Sequence, residues 1–141
     1  MQKNAMTASI KYIGNLRCAA KHTQSGTDIE TDAPVDNMGK GEKFSPTDLF
    51  CVSLATCMLT TMGIKANALQ ADITNATANV TKHMFPNPRR VGKIEVDVLL
   101  PAISDETNRK SLELAGDNCP VMKSIDPNIQ VLINYKWGES L

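Results

Sequence analysis

The segment "SPTDLFCVSLATCMLTTMGIKANAL", residues 45–69, carries apolar side chains on nearly every side of a helix. Leu49, Phe50, Val52, Leu54, Ala55, Met58, Leu59, Met62 and Ile64 leave no wide polar face, and a helix that is apolar all round has to be surrounded by the rest of its fold. The segment is therefore expected to run through the middle of the molecule. Its start is well marked. Ser45 is a good cap, Pro46 suits the first helical position, and the Asp48 carboxylate complements the positive end of the helix dipole.

The elements around this helix are short strands. "TASIKYI" and "LRCAAKH" flank Gly14-Asn15 and read as a hairpin in which Leu16, Cys18 and Ala20 share one face while Arg17 and Ala19 take the other. The polar stretch "TQSGTD" turns the chain into a short strand near Ile29. Residues 32–46, "DAPVDNMGKGEKFSP", form a long loop, a length that inside compact domains is often functional.

After the helix, β-branched residues over 72–84, the turn "PNPRR" and the alternation in "KIEVDVLL" give a second hairpin, with Ile94, Val96, Val98 and Leu100 buried. "SDETNRKSLELAG" is a helix with Ser104 as cap and Gly116 as stop, and "NIQVLINYKW" closes the chain as a strand. The order β-β-β-α-β-β-α-α-β, with hairpins between neighbouring strands, predicts an α+β fold with antiparallel sheets around a long central helix.

A chain of 141 residues is expected to form one domain over 1–141. Fifteen Lys and Arg balance fifteen Asp and Glu, so no net field recruits nucleic acid or an anionic membrane. The opening "MQKNAMTASIKYIG" lacks the apolar run of a signal peptide, and nowhere do eighteen apolar residues run together, which predicts a soluble, cytoplasmic protein. Thiols are kept reduced in that compartment, so four cysteines point to packing, metal or redox chemistry before structural bridges. With no C-x-x-C pair among Cys18, Cys51, Cys57 and Cys119, the metal option is weak.

Cys51 and Cys57 are separated by about 9 Å along the helix axis, beyond the roughly 7 Å that a disulfide spans, and face directions about 120° apart. Cys51, between Phe50 and Val52, and Cys18, on an apolar strand face, read as packing residues. Cys57 has small Ser53 one turn before it and Thr60 and Thr61 one turn after, which leaves room for a ligand. Cys119 precedes Pro120, so it takes the cap position of a helix, where unpaired N–H groups and the dipole favour thiolate. The competing reading makes Asn118 or Asp117 the cap and Cys119 a small buried hydrophobe. His22 and His83 read as exposed strand-end residues. Met58, Met62 and Met122 fit either an adaptable pocket or the core.

At this point the chain resembles a known family. "GKGEKFSPTDLFCVSLATC" and "NCPVMKSI" are similar to the two cysteine-bearing segments of the OsmC and organic hydroperoxide resistance superfamily, and "LRCAAKH" to its arginine-bearing strand. The resemblance runs from about Gly14 to Trp137. It implies an intertwined homodimer and a thiol-dependent peroxidase that reduces organic hydroperoxides with a dithiol reductant and no metal or organic cofactor. It further implies Cys57 as the peroxidatic thiol, Cys119 as the resolving thiol and Arg17 as the cation beside them. One departure stands out. The hydroperoxide-resistance branch carries a glutamate directly after the proline, where this chain has Thr47, with Asp48 one residue on. Asp48 is thus either the replacement carboxylate or a helix-dipole residue. Two other readings follow: a non-catalytic stress-response module binding a small apolar ligand in the dimer pocket, or a structural thiol protein.

Overall fold

The computed structural model describes residues 5–138. Met1–Asn4, part of the stretch read above as lacking a leader, and Glu139–Leu141 lie outside the described residues. The chain forms two compact units, one up to Leu49 and the other from Phe50 onward.

In the first unit, β1 (Ala8–Gly14), β2 (Arg17–His22) and β3 (Asp28–Asp32) make an antiparallel sheet in that order. The β1–β2 turn needs left-handed backbone, and Asn15 and Leu16 supply it at φ of 55° and 64° behind Gly14 at 93°. Leu16 therefore belongs to the turn rather than to β2. On one face the register lines up Ile10, Ala20 and Ile29, then Tyr12, Cys18 and Thr31; on the other, Arg17 stands opposite Asp32. The apolar face is uncovered, with Ile10, Tyr12 and Ile29 exposed by 66%, 62% and 50%. The long loop that follows contains only a single 3-10 turn, Val35–Asn37, before Ser45.

The expected helix is α1 (Pro46–Ala68). Its start is a reciprocal cap: Asp48 N–H donates to Ser45 Oγ at 3.0 Å, and Ser45 N–H donates to the Asp48 carboxylate at 2.9 Å. Two of the exposed N–H groups at the helix start are thereby satisfied.

The second unit contains the rest of α1, β4 (Thr77–Phe85), β5 (Arg90–Leu100), α2 (Glu106–Asp117), α3 (Pro120–Ser124) and β6 (Gln130–Trp137). Its sheet runs β4-β5-β6. The β4–β5 pairing is the expected antiparallel hairpin, whereas β5 and β6 are parallel. The reason is topological. Two helices intervene between β5 and β6 and return the chain to the same end of the sheet, as parallel neighbours require.

Ile94, Val96, Val98 and Leu100 of β5 are buried as the alternation predicts, and pack with Cys51, Leu54, Ala55, Met58, Met62 and Ala66 of α1, with Leu112 of α2 and with Cys119. Each large side chain so buried stabilises the fold by about 1.5–3 kcal/mol. The α1 residues form one stripe at helical spacing, so the expected burial on every side is met on that stripe alone; Phe50 and Ile64 remain exposed. By length and composition α1 could cross a membrane, with a mean hydropathy of 1.6 over its most apolar stretch. One stripe of the helix is buried in the core with β5, which accounts for part of that hydropathy.

Helix α2 is capped one residue later than expected. Asp105, not Ser104, accepts from the N–H groups of Thr107 and Asn108 at 2.9 and 3.1 Å. Gly116 is no stop signal either. It lies buried inside α2, where a Cβ would sit 2.5 Å from Tyr135 Oη and 3.1 Å from Met62 Sδ. Tyr135 Oη, on β6, is 2.8 Å from the Asp117 carboxylate and 3.1 Å from the Glu113 carbonyl oxygen. Trp137 Nε1 donates to the Glu113 carboxylate at 2.9 Å. The glycine lets α2 close onto β6, which fixes the segment leading into Cys119. Gly116→Ala is expected to destabilise the protein by about 1–3 kcal/mol through overpacking, read from denaturant unfolding.

Candidate active site

Cys57 and Cys119 are 62 positions apart in sequence and side by side in the second unit. Cys57 is carried by α1 one position before Met58, which is fully buried; the register that sinks Met58 into the core leaves the Cys57 thiol half-buried beside it. Cys119 arrives from the other direction as the residue that caps α3, with Pro120 at the first helical position. The two thiols are within hydrogen-bonding contact, and neither is bridged.

The cap position does not make Cys119 a ready thiolate. Burial pushes its thiol up, and the adjacent Cys57 sulfur, by its hydrogen bond and its charge, pushes in the same direction. The amide groups of Met122 and Val121 pull it down, but without closing a capping hydrogen bond they do not prevail. Cys119 is therefore a protonated thiol held against a more accessible one. Such a pair suits a division of labour in which the exposed sulfur is attacked or attacks first and the buried one condenses with the product.

Arg17 lies in the first unit, at the start of β2. Its Nε donates to Asp32 Oδ1 at 2.7 Å and its Nη2 to Asp32 Oδ2 at 2.9 Å, a two-point fork, and Nη2 donates also to Glu42 Oε1 at 3.1 Å. Asp32 is 3% exposed and Glu42 60%. The hydrogen bonds from Arg17, outweighing burial, hold the Asp32 carboxyl below the usual carboxylate range, with the backbone amides of Glu42 and Lys43 acting the same way. Reciprocally, the bond to Asp32 raises the Arg17 guanidinium.

Neither Asp32 nor Glu42 stands out in the sequence as a partner for Arg17. For Asp32 the available signal was the strand pairing, since once β2 and β3 are placed in register Arg17 faces position 32 directly. Asp48, the candidate carboxylate, accepts the Ser45 N–H in the helix cap, and Thr47 Oγ1 lies 3.2 Å from Ser45 Oγ. Cys51 is buried in the core and Cys18 is half-buried on β2, positions that suit packing. Met58 and Met62 are core residues; Met122, half-buried, is beside Cys119. His22 bonds Ser25 at an exposed strand end, and His83 pairs with Glu95. Among the described residues no cluster of His, Cys, Asp and Glu is arranged to hold a metal ion.

Residues 39–134, which include both thiols, match the model of the OsmC-like protein family. The chain belongs to that family. Among solved structures, this OsmC-like chain is similar to a candidate osmotic stress induced and detoxification response protein from Psychrobacter arcticus 273-4, at 43% identity and a TM-score of 0.87 over 97% of this chain and 98% of that one. At 18% identity the fold is shared with an organic hydroperoxide resistance protein OsmC from Legionella pneumophila, with a TM-score of 0.70 over 95% and 99% of the two chains. It is shared too with an organic hydroperoxide resistance protein from Elizabethkingia anophelis, at 17% identity and a TM-score of 0.72 over 97% and 100%. No curated protein sequence matches.

The Asp32 carboxyl yields a pH prediction whose sign is fixed. Because its folded value is depressed, the ion pair adds stability that is fully present above the unfolded value of about 3.9 and is lost as pH falls through the lower folded value. Denaturant unfolding of wild type and Asp32→Asn is expected to differ at pH 7 and to converge as pH falls through the depressed folded value of Asp32.

Proposed function

We propose that this OsmC-like protein is a thiol-dependent peroxidase that reduces organic hydroperoxides through Cys57 and Cys119. The observation that carries the reading is the contact between a half-buried thiol and a fully buried one, both unbridged, in a chain of this family. The Cys57 thiolate attacks the terminal oxygen of the hydroperoxide. The O–O bond breaks as an S–O bond forms, the sulfur loses two electrons, and the alkoxide leaves as the alcohol after taking a proton. Cys119, still a thiol, then condenses with the Cys57 sulfenic acid, releasing water and closing a disulfide before further oxidation can intervene. A dithiol reductant of the cytoplasm returns both thiols by exchange.

Arg17 is the cation assigned to this chemistry. A guanidinium beside a sulfur favours its ionised form, and a fixed N–H donor stabilises the alkoxide as charge develops on it. No metal or organic cofactor enters the scheme. Steady-state turnover of cumene or tert-butyl hydroperoxide with a dithiol is expected for wild type, and the loss of turnover in Cys57→Ser together with a Cys57–Cys119 crosslink seen by mass spectrometry after one equivalent of peroxide checks it. Turnover equal in wild type and Cys57→Ser would leave the protein as a non-catalytic module of the same fold.

The working form is a homodimer. The uncovered apolar face of the β1–β2–β3 sheet, with Ile10, Tyr12 and Ile29 outermost, supports this, as does the exposed apolar side of α1 at Phe50 and Ile64. A second copy of the chain covers these surfaces. Light scattering of the eluted protein is expected to give twice the chain mass of 15.3 kDa, and Ile10→Asp combined with Tyr12→Asp to shift it toward the monomer.

A further inference from the structure

We infer that the hydrogen bond between Tyr135 and Asp117 is a positioning clasp for Cys119, holding the buried thiol where it can close a disulfide with Cys57; the inference rests on the reading of these two thiols as a redox pair. All of its parts lie in the second unit. Asp117 is the last residue of α2, and Cys119, two residues on, caps α3. Only Asn118 stands between them, its backbone already out of the helix at φ −115° and ψ 21°. Cys119 closes no side-chain cap bond, and its N–H reaches the Gly116 carbonyl oxygen only at 3.4 Å. A thiol at such a joint is placed by whatever fixes the end of α2.

Strand β6 fixes it through the tyrosine. Tyr135 Oη lies 2.8 Å from the Asp117 carboxylate and 3.1 Å from the Glu113 carbonyl oxygen, so one phenol ties both ends of the last helical turn to the strand. Gly116 is what lets the ring come so close, since a Cβ there would stand 2.5 Å from Oη. Burial, with the bond to Asp117 and its charge acting the same way, pushes the phenol far above its ordinary range, so it stays an O–H donor wherever the thiols titrate. The Cys119 sulfur acts on the phenol as well, which puts thiol and clasp in one neighbourhood. Trp137 supplies a second bond from β6, to the Glu113 carboxylate at 2.9 Å, but one turn further from Cys119.

The test reads disulfide closure on the full chain by two routes. In the first, the protein is equilibrated with oxidised and reduced glutathione. The two thiols give up two electrons and two protons as their S–S bond forms, one glutathione disulfide becomes two thiols, and the equilibrium constant measures how well Cys119 is presented to Cys57. Tyr135→Phe is expected to lower that constant at least about fivefold and Asp117→Ala at least about threefold. The double variant is expected to fall no further than Tyr135→Phe. A bond that only stabilises the fold contributes equally to the dithiol and disulfide forms, so an unchanged constant beside a lowered Tm overturns the inference. Glu113→Ala removes the acceptor of Trp137 and keeps the backbone carbonyl; it is expected to stay within about twofold of wild type. A drop as large as that of Tyr135→Phe would make any tether of α2 to β6 equivalent, and overturns the inference too.

In the second route a small excess of cumene hydroperoxide oxidises Cys57. Its sulfenic acid either condenses with Cys119, releasing water, or takes an oxygen from another hydroperoxide to give sulfinic acid and a second alcohol. Mass spectrometry of Tyr135→Phe is expected to show the ratio of sulfinic acid to disulfide raised about fivefold or more, and a ratio equal to that of wild type overturns the inference. If the hydroperoxide leaves wild type unoxidised, the peroxidase reading fails, while the glutathione equilibrium still decides for or against the clasp. Should Tyr135→Phe not fold, Asp117→Ala decides alone. Asp117 is exposed at the negative end of α2, where losing a carboxylate strengthens the helix, so weaker closure in that variant cannot come from a weaker α2. Closure as strong as in wild type overturns the inference.

Discussion

The burial of one stripe of α1 against β5 is the interaction on which the second unit depends. Leu54, Met58 and Met62 are wholly enclosed there, in contact with Ile94, Val96 and Val98. This packing sets the rotation of the helix, because turning it by one residue would move about 100° of apolar surface out of the core. The rotation in turn decides that Cys51 is sealed inside and that Cys57 stays at the margin. Cys119 joins the same core from the far end of α2 and meets Cys57 there. The candidate site is a by-product of core packing as much as of any local motif.

Two carboxylates near the start of α1 have separate duties. The Asp48 carboxylate accepts the Ser45 N–H at the helix start while Ser45 Oγ accepts the Asp48 N–H, a local matter between residues three apart. Asp32 satisfies a guanidinium brought to it by strand pairing and is buried in doing so. A buried carboxylate without its cation would face the desolvation penalty alone, so the pair stands or falls together. The two roles could be mistaken for each other from spacing alone, since both residues lie at the ends of the same glycine-rich loop.

Departures from the sequence-based expectations share a physical origin. The parallel β5–β6 pairing, Gly116 within α2 and the raised thiol of Cys119 all come from contacts between distant segments. Gly116 reads as a helix stop because glycine at a helix end is common; it is instead the place where Tyr135 needs room. Of the two readings of Cys119, a thiolate-prone cap and a small buried hydrophobe, the structure combines the cap position with burial, and enclosure by the core opposes the local N–H groups more strongly.

Local chemistry was enough to determine the helix start at Ser45 and Pro46, the alternation of β5 and the hairpin at Gly14-Asn15, because each depends on residues within one turn or one pleat of each other, whereas the cap of α3 stayed open between Cys119 and its two predecessors until the fold placed it. The family, too, was legible in the residues around the two cysteines. What only tertiary structure decided was adjacency: Cys57 against Cys119, and Arg17 against Asp32. Those meetings require chain segments far apart in sequence to be held by a shared core or a strand register, and no local preference encodes the free energy of bringing them together.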